Sequence, residues 1–291
     1  MGILTHISVP LWQGAERRGT ETAPCSLREG GLEAILSRYF DVRYVAMPAC
    51  TASVDTDDKY GQIAAYLTQL KQVVADNMEN SLPFVVGGDH ALGLASVAAA
   101  AERYEDLAVI WFDAHGDMNT EATSHTGHIH GMPLAAAMGL CQSALNEVAV
   151  RPMNPQHIFW IGARSLDEGE KALIERLKLH VYSSQTIREQ GMQAVMRQVQ
   201  KEMTRMDIRH LHCSIDVDAM DPSIVAATGV KEADGLHDDD YQQFIQSLTQ
   251  LPVELTSIDF VEYNPLLDDE EHHSRQWCIN AINQLMKAIS A

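Results

Sequence analysis

The run Val109-Ile110-Trp111-Phe112-Asp113-Ala114-His115-Gly116-Asp117 joins a strand pattern to a cluster of polar side chains. Its first four residues are all apolar, which is typical of a strand buried on both faces of a parallel sheet. The pattern D-x-H-x-D follows at once. Alternate side chains of an extended chain point to one side, so Asp113, His115 and Asp117 are predicted to face a common site.

Two further runs end in the same kind of side chain. Ser214-Ile215-Asp216-Val217-Asp218 contributes Asp216 and Asp218, and His90 follows the apolar pair Val85-Val86. D-x-D or D-x-H alone is common on solvated loops, but all three clusters follow strand-like runs. So much negative charge repels itself unless a cation is present. The combination therefore predicts a metal site.

The types of ligand limit the choice of metal. Carboxylates and imidazoles without cysteine favour Mn²⁺ or a similar ion over a thiolate zinc site, and they also tolerate Co²⁺ and Fe²⁺. Five or six protein ligands are too many for one catalytic ion with an open position. Two ions roughly 3.5–4 Å apart, sharing carboxylates, use them better.

Composition and charge exclude several functions. The chain has 291 residues, 46% hydrophobic and 21% charged, and neither a repeat nor a Pro/Gly-rich linker divides it. We therefore expect one globular domain over residues 1–291. The net charge of −19 argues against a nucleic-acid partner and would attract a cationic substrate.

The same composition predicts a cytoplasmic protein with no membrane partner. No apolar stretch approaches the roughly 18 residues of a membrane span, and the N-terminus lacks the pattern of a signal peptide. The five cysteines are scattered without a CxxC pair, which indicates reduced thiols.

Apolar strand-like runs alternate with helical patterns, which predicts a parallel sheet covered by helices on both faces. The predicted strands are Ile3–Val9, Val42–Ala46, Pro83–Val86, Ala108–Phe112, His157–Ile161, Val181–Tyr182, Leu211–Val217 and Leu255–Val261. The predicted helices are Ser26–Tyr39, Lys59–Asn77, Ala91–Arg103, Leu134–Met138, Glu168–Leu177, Ile187–Met203, Asp239–Leu251 and Arg275–Ile289. His90, Asp113–Asp117, Asp216–Asp218 and Glu262 all follow strands. Ligands of open α/β sheets bind beyond the strand carboxyl ends, so these residues are expected to meet in one crevice.

These motifs resemble the ureohydrolase superfamily (arginases, agmatinases and formimidoylglutamases), and arginases most closely. The resemblance extends over nearly the whole chain in order and spacing. The matching segments are Gly87–His90, Asp113–Thr120, His130–Pro133, Gly162–Glu170, Ser214–Pro222 and Val261–Pro265, with an earlier piece that runs from Arg18 through Arg28. The resemblance implies a three-layer α-β-α sandwich around a single, mostly parallel sheet of about eight strands. It also implies a homo-oligomer, since family members often form trimers or hexamers.

The resemblance further implies a hydrolase with two Mn²⁺ ions per subunit. One ion would be held by His90, Asp113, Asp117 and Asp216, and the other by His115, Asp113, Asp216 and Asp218. Their bridging hydroxide would attack the guanidinium carbon of L-arginine and release urea and L-ornithine. Asp117 would pass a proton to the leaving nitrogen and His130 would shuttle protons, while Glu262 would pair with the guanidinium. Asp89 would orient the site without binding metal.

The substrate's far end is expected to meet two segments. Asp167, with Glu170 behind it, would recognise an α-ammonium group. The loop residues Asn119, Ser124, Thr126 and His128 would meet an α-carboxylate. His128, however, stands where arginases typically have asparagine, and His125 and His128 are as well explained as exposed loop residues.

Other departures leave the substrate open. The turn Thr228–Gly235 replaces the usual Gly/Pro-containing turn, and Ala91 replaces a common serine. N-formimino-L-glutamate is therefore the main alternative to arginine, followed by agmatine or a guanidino acid. More distant alternatives are a non-catalytic regulatory relative, which would be expected to lose ligands, and a zinc deacetylase-like amide hydrolase.

Overall fold

A parallel sheet of eight strands organises the chain. The structure is a computed structural model that describes residues 1–291. Neighbouring strands follow the order β2-β1-β3-β8-β7-β4-β5-β6, and every pair is parallel. The strands are β1 Ile3–Ser8, β2 Asp41–Ala46, β3 Leu82–Val86, β4 Leu107–Phe112, β5 Ile158–Ala163, β6 His180–Ser183, β7 His210–Asp216 and β8 Glu254–Val261. All eight predicted strands are confirmed, and so is the parallel sheet.

Eleven helices cover the two faces of this sheet. They are α1 Ala23–Glu29, α2 Leu32–Tyr39, α3 Lys59–Met78, α4 Gly93–Arg103, α5 Pro133–Ala137, α6 Leu145–Val148, α7 Glu168–Leu177, α8 Ser184–Gln190, α9 Met192–Arg205, α10 Asp238–Leu248 and α11 His273–Ile289. One buried apolar cluster joins α1, α2 and α8 to α11 to the sheet, and a second joins α3 to α7. The predicted three-layer sandwich is therefore confirmed, and every residue of β4 and β5 is buried between the layers.

Two predicted helices are divided by glycine. The expected helix Ser26–Tyr39 is two helices, because Gly31 adopts a left-handed backbone with φ 96° that ends one and starts the other. The expected helix Ile187–Met203 begins earlier and is broken at Gly191, where φ is 82°. The short helix α6 was not predicted, since four residues are too few for a periodic pattern. None of the helices has the length and apolar character needed to cross a lipid bilayer.

Candidate metal centre and substrate pocket

Five adjacent strands, β3, β8, β7, β4 and β5, end at one crevice and supply the predicted site. In a parallel sheet all carboxyl ends lie along one edge, so neighbouring strands bring together residues far apart in sequence. The strand ends supply, in sheet order, His90, Glu262, Asp216 with Asp218, Asp113 with His115 and Asp117, and Asp167 with Glu170. The predicted convergence is thus observed.

Turns, rather than extended strand, aim the paired ligands. We expected the alternation of D-x-H-x-D to continue along a strand, but β4 ends at Phe112. The carboxylate of Asp113 then accepts a hydrogen bond of 2.7 Å from the backbone N–H of His115. Asp216 accepts the equivalent 2.7 Å bond from the N–H of Asp218. This local capping bends the chain and presents both members of each pair to the crevice.

Two acidic site residues have unusual backbone conformations. Asp117 has a φ of 50° and Glu262 a φ of 65°. Non-glycine residues rarely occupy this left-handed region, and such positions concentrate at functional sites. Both side chains line the crevice. The sequence motifs gave no sign of this conformation, because neither residue is of a type that demands it.

His90 lies at the centre of the first group of ligand atoms. Its Nδ1 is 2.8 Å from Asp113 Oδ2, 3.1 Å from Asp216 Oδ2 and 3.2 Å from Asp117 Oδ2. All four side chains are buried. One ring nitrogen therefore faces three carboxylates, which is the donor set predicted for one ion.

His115 lies in a second group that overlaps the first. Its Nδ1 is 3.0 Å from Asp218 Oδ2 and 3.6 Å from Asp113 Oδ1. Asp113 thus offers one oxygen to each group. Within His90–Asp113–Asp117 and within Asp113–His115–Asp218, the ligand atoms all lie within 4.8 Å of one another.

The polar atoms of the centre fit a divalent cation. His90 Nδ1 and Asp113 Oδ2 are buried, yet neither has a hydrogen bond of acceptable geometry. Buried polar atoms rarely lack a partner in folded proteins. A nitrogen lone pair and carboxylate oxygens that converge in this way are suited to Mn²⁺ or a similar ion.

The pKa shifts of the candidate ligands also favour a bound cation. Burial raises the pKa of Asp117, and the nearby charge of Asp113 raises it further, to about 7. Burial and the charges of Asp218 and Asp113 also raise the pKa of Asp216. Burial alone would lower the pKa of His90, but the carboxylates beside its Nδ1, first that of Asp113, raise it well above its usual value. Without a cation, protons must neutralise part of this charge, and a bound cation would displace them.

Behind His90 lies a buried chain of polar side chains that sequence reasoning missed. His90 Nε2 is 2.8 Å from Ser214 Oγ, which donates at 3.4 Å to Asp259 Oδ2. That oxygen is also 3.2 Å from His212 Nε2, and His212 Nδ1 is 2.8 Å from Ser257 Oγ. We call Ser214, Asp259, His212 and Ser257 the core network. A signal was available, because these polar residues interrupt two otherwise apolar strands.

His130 and Glu262 form an ion pair in the crevice wall. Their Nδ1 and Oε1 atoms are 3.0 Å apart, and the same oxygen accepts a 2.8 Å bond from the backbone N–H of His90. Burial alone would lower the pKa of His130, but the hydrogen bond and charge of Glu262 raise it to about 9. Burial alone would raise the pKa of Glu262, but His130 and His90 together hold it below its usual value.

The crevice encloses a cavity of about 110 Å³ with an almost wholly polar lining. Eleven of the residues that line it are His90, His115, Asp117, Asn119, His130, Ser165, Asp167, Glu170, Asp216, Asp218 and Glu262, and the others are Gly131 and Val230. Val230 alone is hydrophobic. Such a lining suits a small, charged ligand.

Besides Glu262, three predicted substrate contacts line this cavity and are joined to one another. Asn119 Nδ2 donates at 2.9 Å to Asp167 Oδ2. Glu170 accepts a 3.0 Å bond from the N–H of Asp167 and a 3.2 Å bond from that of Met118. Glu170 thereby ties the start of α7 to the loop after β4.

The remaining predicted contacts lie farther out. None of Ser124, Thr126 and His128 lines the cavity. Ser124 and Thr126 accept hydrogen bonds from backbone N–H groups of their own loop. His128 Nε2 lies 4.0 Å from a carboxylate oxygen of Glu16, which also pairs with Lys59 at 2.6 Å. The three residues therefore form an outer rim.

Asp89 has the supporting geometry that was predicted for it. One oxygen accepts a 3.1 Å bond from the N–H of Ala91 and the other a 3.1 Å bond from that of Ala15. Its position joins the end of β3 to the loop that follows β1. It is absent from both groups of ligand atoms.

Comparison with known proteins identifies the family. A sequence model described as "Arginase family" matches residues 4–287. The chain belongs to the arginase family. It is 34% identical to an arginase of Bacillus caldovelox, over 91% of this chain and 92% of that one. The solved B. caldovelox structure aligns with a TM-score of 0.92 at 32% identity, over 98% of both chains. A structure of Entamoeba histolytica arginase with L-ornithine aligns with a TM-score of 0.90 at 28% identity, over 98% of both chains.

Family membership confirms two predictions. The chain is an arginase-like ureohydrolase, a hydrolase of the class that acts on guanidino compounds. The relatives compared above are arginases. The chain also contains a cluster of His and Asp side chains, most of them buried, that is suited to a metal ion.

Proposed function

We propose that this protein hydrolyses L-arginine to L-ornithine and urea with two manganese ions per subunit. The observation that carries the proposal is the pair of ligand groups that share Asp113 and whose other members line a small polar cavity. The family membership and the arginases among its relatives support the reaction. One of those relatives has been solved with L-ornithine, the amine product proposed here.

The six predicted ligands would divide between the two ions. His90 and Asp117 would belong to one ion, and His115 and Asp218 to the other. Asp113 and Asp216 would serve both, which their carboxylates can do with two oxygens each. When bound, the two ions would lower the pKa of a shared water and supply hydroxide near neutral pH.

The chain's own acids and bases would move the protons. Asp117 lines the cavity beside His90, where its carboxylate can take a proton from the attacking water and pass it to the leaving nitrogen. Cleavage of the carbon–nitrogen bond then yields urea and a primary amine. His130, held by Glu262 at the cavity wall, would exchange with solvent the other proton of the water, which is released when hydroxide forms.

Glu262 and Asp167 would orient a cationic substrate. The buried Glu262 carboxylate would pair with the guanidinium group close to the ligand cluster. Asp167, with Glu170 fixing its backbone, would accept from the α-ammonium group. Asn119 and the outer rim residues Ser124, Thr126 and His128 would meet the carboxylate end.

Parallel assays of arginine, agmatine and N-formimino-L-glutamate with Mn²⁺ test the proposal. We expect the highest kcat/KM for arginine, with urea released. If N-formimino-L-glutamate exceeds arginine by more than tenfold, the substrate assignment is wrong. Stoichiometric manganese binding with no turnover of any of the three would instead favour a non-catalytic regulatory relative.

N-formimino-L-glutamate is the second candidate because of two hydrogen-bond donors at the rim, the Lys59 ammonium group and the His128 imidazole. His128 replaces the expected asparagine, and Lys59 lies within the same cluster. These groups would suit the acidic tail of that substrate. Glu16, however, already pairs with Lys59, which weakens the attraction for an added carboxylate.

The remaining expectations concern the protein's setting. A single domain over residues 1–291, a homotrimer or homohexamer, and residence in the cytoplasm are proposed on the sequence and the resemblance. All five cysteines are unpaired, which supports a reducing compartment. The net charge of −19 supports a small cationic substrate over a nucleic-acid partner.

A further inference from the structure

One side of His115 has no partner. Its Nδ1 faces the second ligand group, but its Nε2 is buried and makes no hydrogen bond. An imidazole that binds a cation through Nδ1 keeps its proton on Nε2. That N–H group normally donates to a carboxylate, a carbonyl oxygen or water, which fixes the direction of the ring.

Glu232 is placed to accept from this group. Its Oε1 lies 3.6 Å from His115 Nε2, and no other carboxylate oxygen lies within 4 Å of that nitrogen. The same oxygen accepts a 3.0 Å hydrogen bond from Ser165 Oγ. The carboxylate is thus held facing the imidazole, a few tenths of an ångström beyond hydrogen-bonding distance.

The turn that carries Glu232 is fastened to the metal centre by Arg164. The guanidinium donates to the carbonyl oxygens of Glu232 at 3.0 Å and Ala233 at 3.1 Å. It also donates at 2.6 Å to the carbonyl oxygen of Asp218, a ligand of the same group as His115. Arg164 therefore sets the separation between this turn and that half of the centre.

We propose that Glu232, held by Ser165, is a positioning residue that orients His115 toward its metal ion. The inference rests on the proposed two-manganese site. Glu232 lies in the turn Thr228–Gly235, where this chain departs from the usual family pattern. The device acts on one ion only, because the Glu232 carboxylate lies within 4 Å of His115 and not of His90.

Manganese binding to four variants tests this role. Glu232→Ala removes the acceptor, Glu232→Gln keeps an acceptor oxygen without the charge, and Ser165→Ala releases the carboxylate. Asp234→Asn removes an exposed charge from the same turn and serves as the matched control. Metal-free protein is titrated with Mn²⁺ while electron paramagnetic resonance distinguishes free, isolated and spin-coupled ions.

We expect Glu232→Ala to weaken one of the two manganese equivalents about tenfold or more, as loss of an outer partner of a ligand commonly does. Ser165→Ala should show a smaller loss of the same equivalent, and Glu232→Gln should restore part of it. The spin-coupled signal should fall accordingly at limiting manganese. Thermal unfolding of the metal-free variants should match the wild type, since Glu232 is only half-buried.

Wild-type affinity for both equivalents in Glu232→Ala and Ser165→Ala would overturn the inference and leave the two-manganese proposal intact. Equal weakening of both equivalents would also overturn it, because the role is specific to one ion. A wild-type protein that binds no manganese would overturn the proposed function itself. The two failures are therefore distinguishable.

Discussion

His90 and His115 are proposed for the same task but stand in contrasting surroundings. The side chain of His90 is 1% exposed and stacks on Trp111, with 3.9 Å between the ring centres. Its Nε2 contacts the core network through Ser214. The side chain of His115 is 22% exposed, and its outer nitrogen faces the carboxylate of Glu232, which is itself 36% exposed. One half of the centre is therefore part of the sheet's interior, and the other depends on a surface turn.

This contrast predicts that substitutions at the two places affect different properties, the stability of the fold at one and the affinity for metal at the other. Polar atoms of the core network are buried, so any group left without a partner there reduces stability. Contacts of Glu232 are partly solvated, so their loss changes the stability of the fold little. We expect variants of the core network behind His90 to alter the stability of the fold, and variants of Glu232 to alter metal affinity alone.

The largest expected effect is that of Asp117→Asn, in the His90 half. The substitution keeps the shape but removes the base proposed to move the proton. Turnover should fall by about 10²–10⁴-fold, measured as urea released from arginine at saturating Mn²⁺. Thermal unfolding of the metal-free protein should change little, and activity near that of the wild type would contradict the assigned role.

His130→Gln tests the ion pair joined to the His90 half by Glu262. The folded-state pKa of His130 is raised to about 9, so its stabilisation is fully present below the unfolded pKa near 6.5 and is lost as pH rises through about 9. In metal-free protein the variant should be less stable than wild type by up to about 3 kcal/mol at pH 6. This difference in the free energy of unfolding should become smaller toward pH 9.5. A gap in the free energy of unfolding that is independent of pH would refute the pair.

Ser214→Ala paired with Glu232→Gln tests the contrast directly. Ser214→Ala leaves the buried Nε2 of His90 without a partner and should cost about 1–3 kcal/mol in the free energy of unfolding. Glu232→Gln should change it by less than about 0.5 kcal/mol. Urea denaturation of the metal-free proteins gives both values. Equal costs would mean that the two halves do not differ as described.

The smallest expected effect lies at the outer rim. His128→Asn restores the residue typical of arginases and should raise the ratio of kcat/KM for arginine over N-formimino-L-glutamate by about threefold to tenfold. Such a change amounts to about 1 kcal/mol, as expected for a partly solvated polar contact. Lys59 is unchanged in this variant, so the positive charge that it contributes at the rim stays constant. An unchanged ratio would mean that His128 does not contact the substrate.

Much of the fold was predictable because apolar runs report burial directly. The run Val109–Phe112 predicted a strand covered on both faces, and β4 is buried at every residue. The helix breaks at Gly31 and Gly191 were missed, although both residues adopt the left-handed backbone that glycine allows. A single glycine within a helical pattern does not reveal whether tertiary packing will use that freedom.

The clustering of the candidate ligands was predictable from the sequence, but the residues that support them were not. Ser214 and Asp259 appeared as polar residues within apolar strands, yet only strand adjacency places them beside His90. Glu232 belongs to no motif that would have marked it as a site residue, because its contact with His115 joins residues from separate loops. Long-range contacts between side chains leave no local pattern in a single sequence.

The order of amino acids alone determines which side chains follow each strand, because burial requires apolar runs and the motifs lie where those runs stop. That is enough to predict a parallel sheet, a common edge and a set of hard ligands. Only the folded chain decides which ligands share an ion, through the adjacency of β7 and β4 and the turns at Asp113 and Asp216. The reason is geometric, since distances within a site depend on strand neighbours and backbone turns that no short segment specifies by itself.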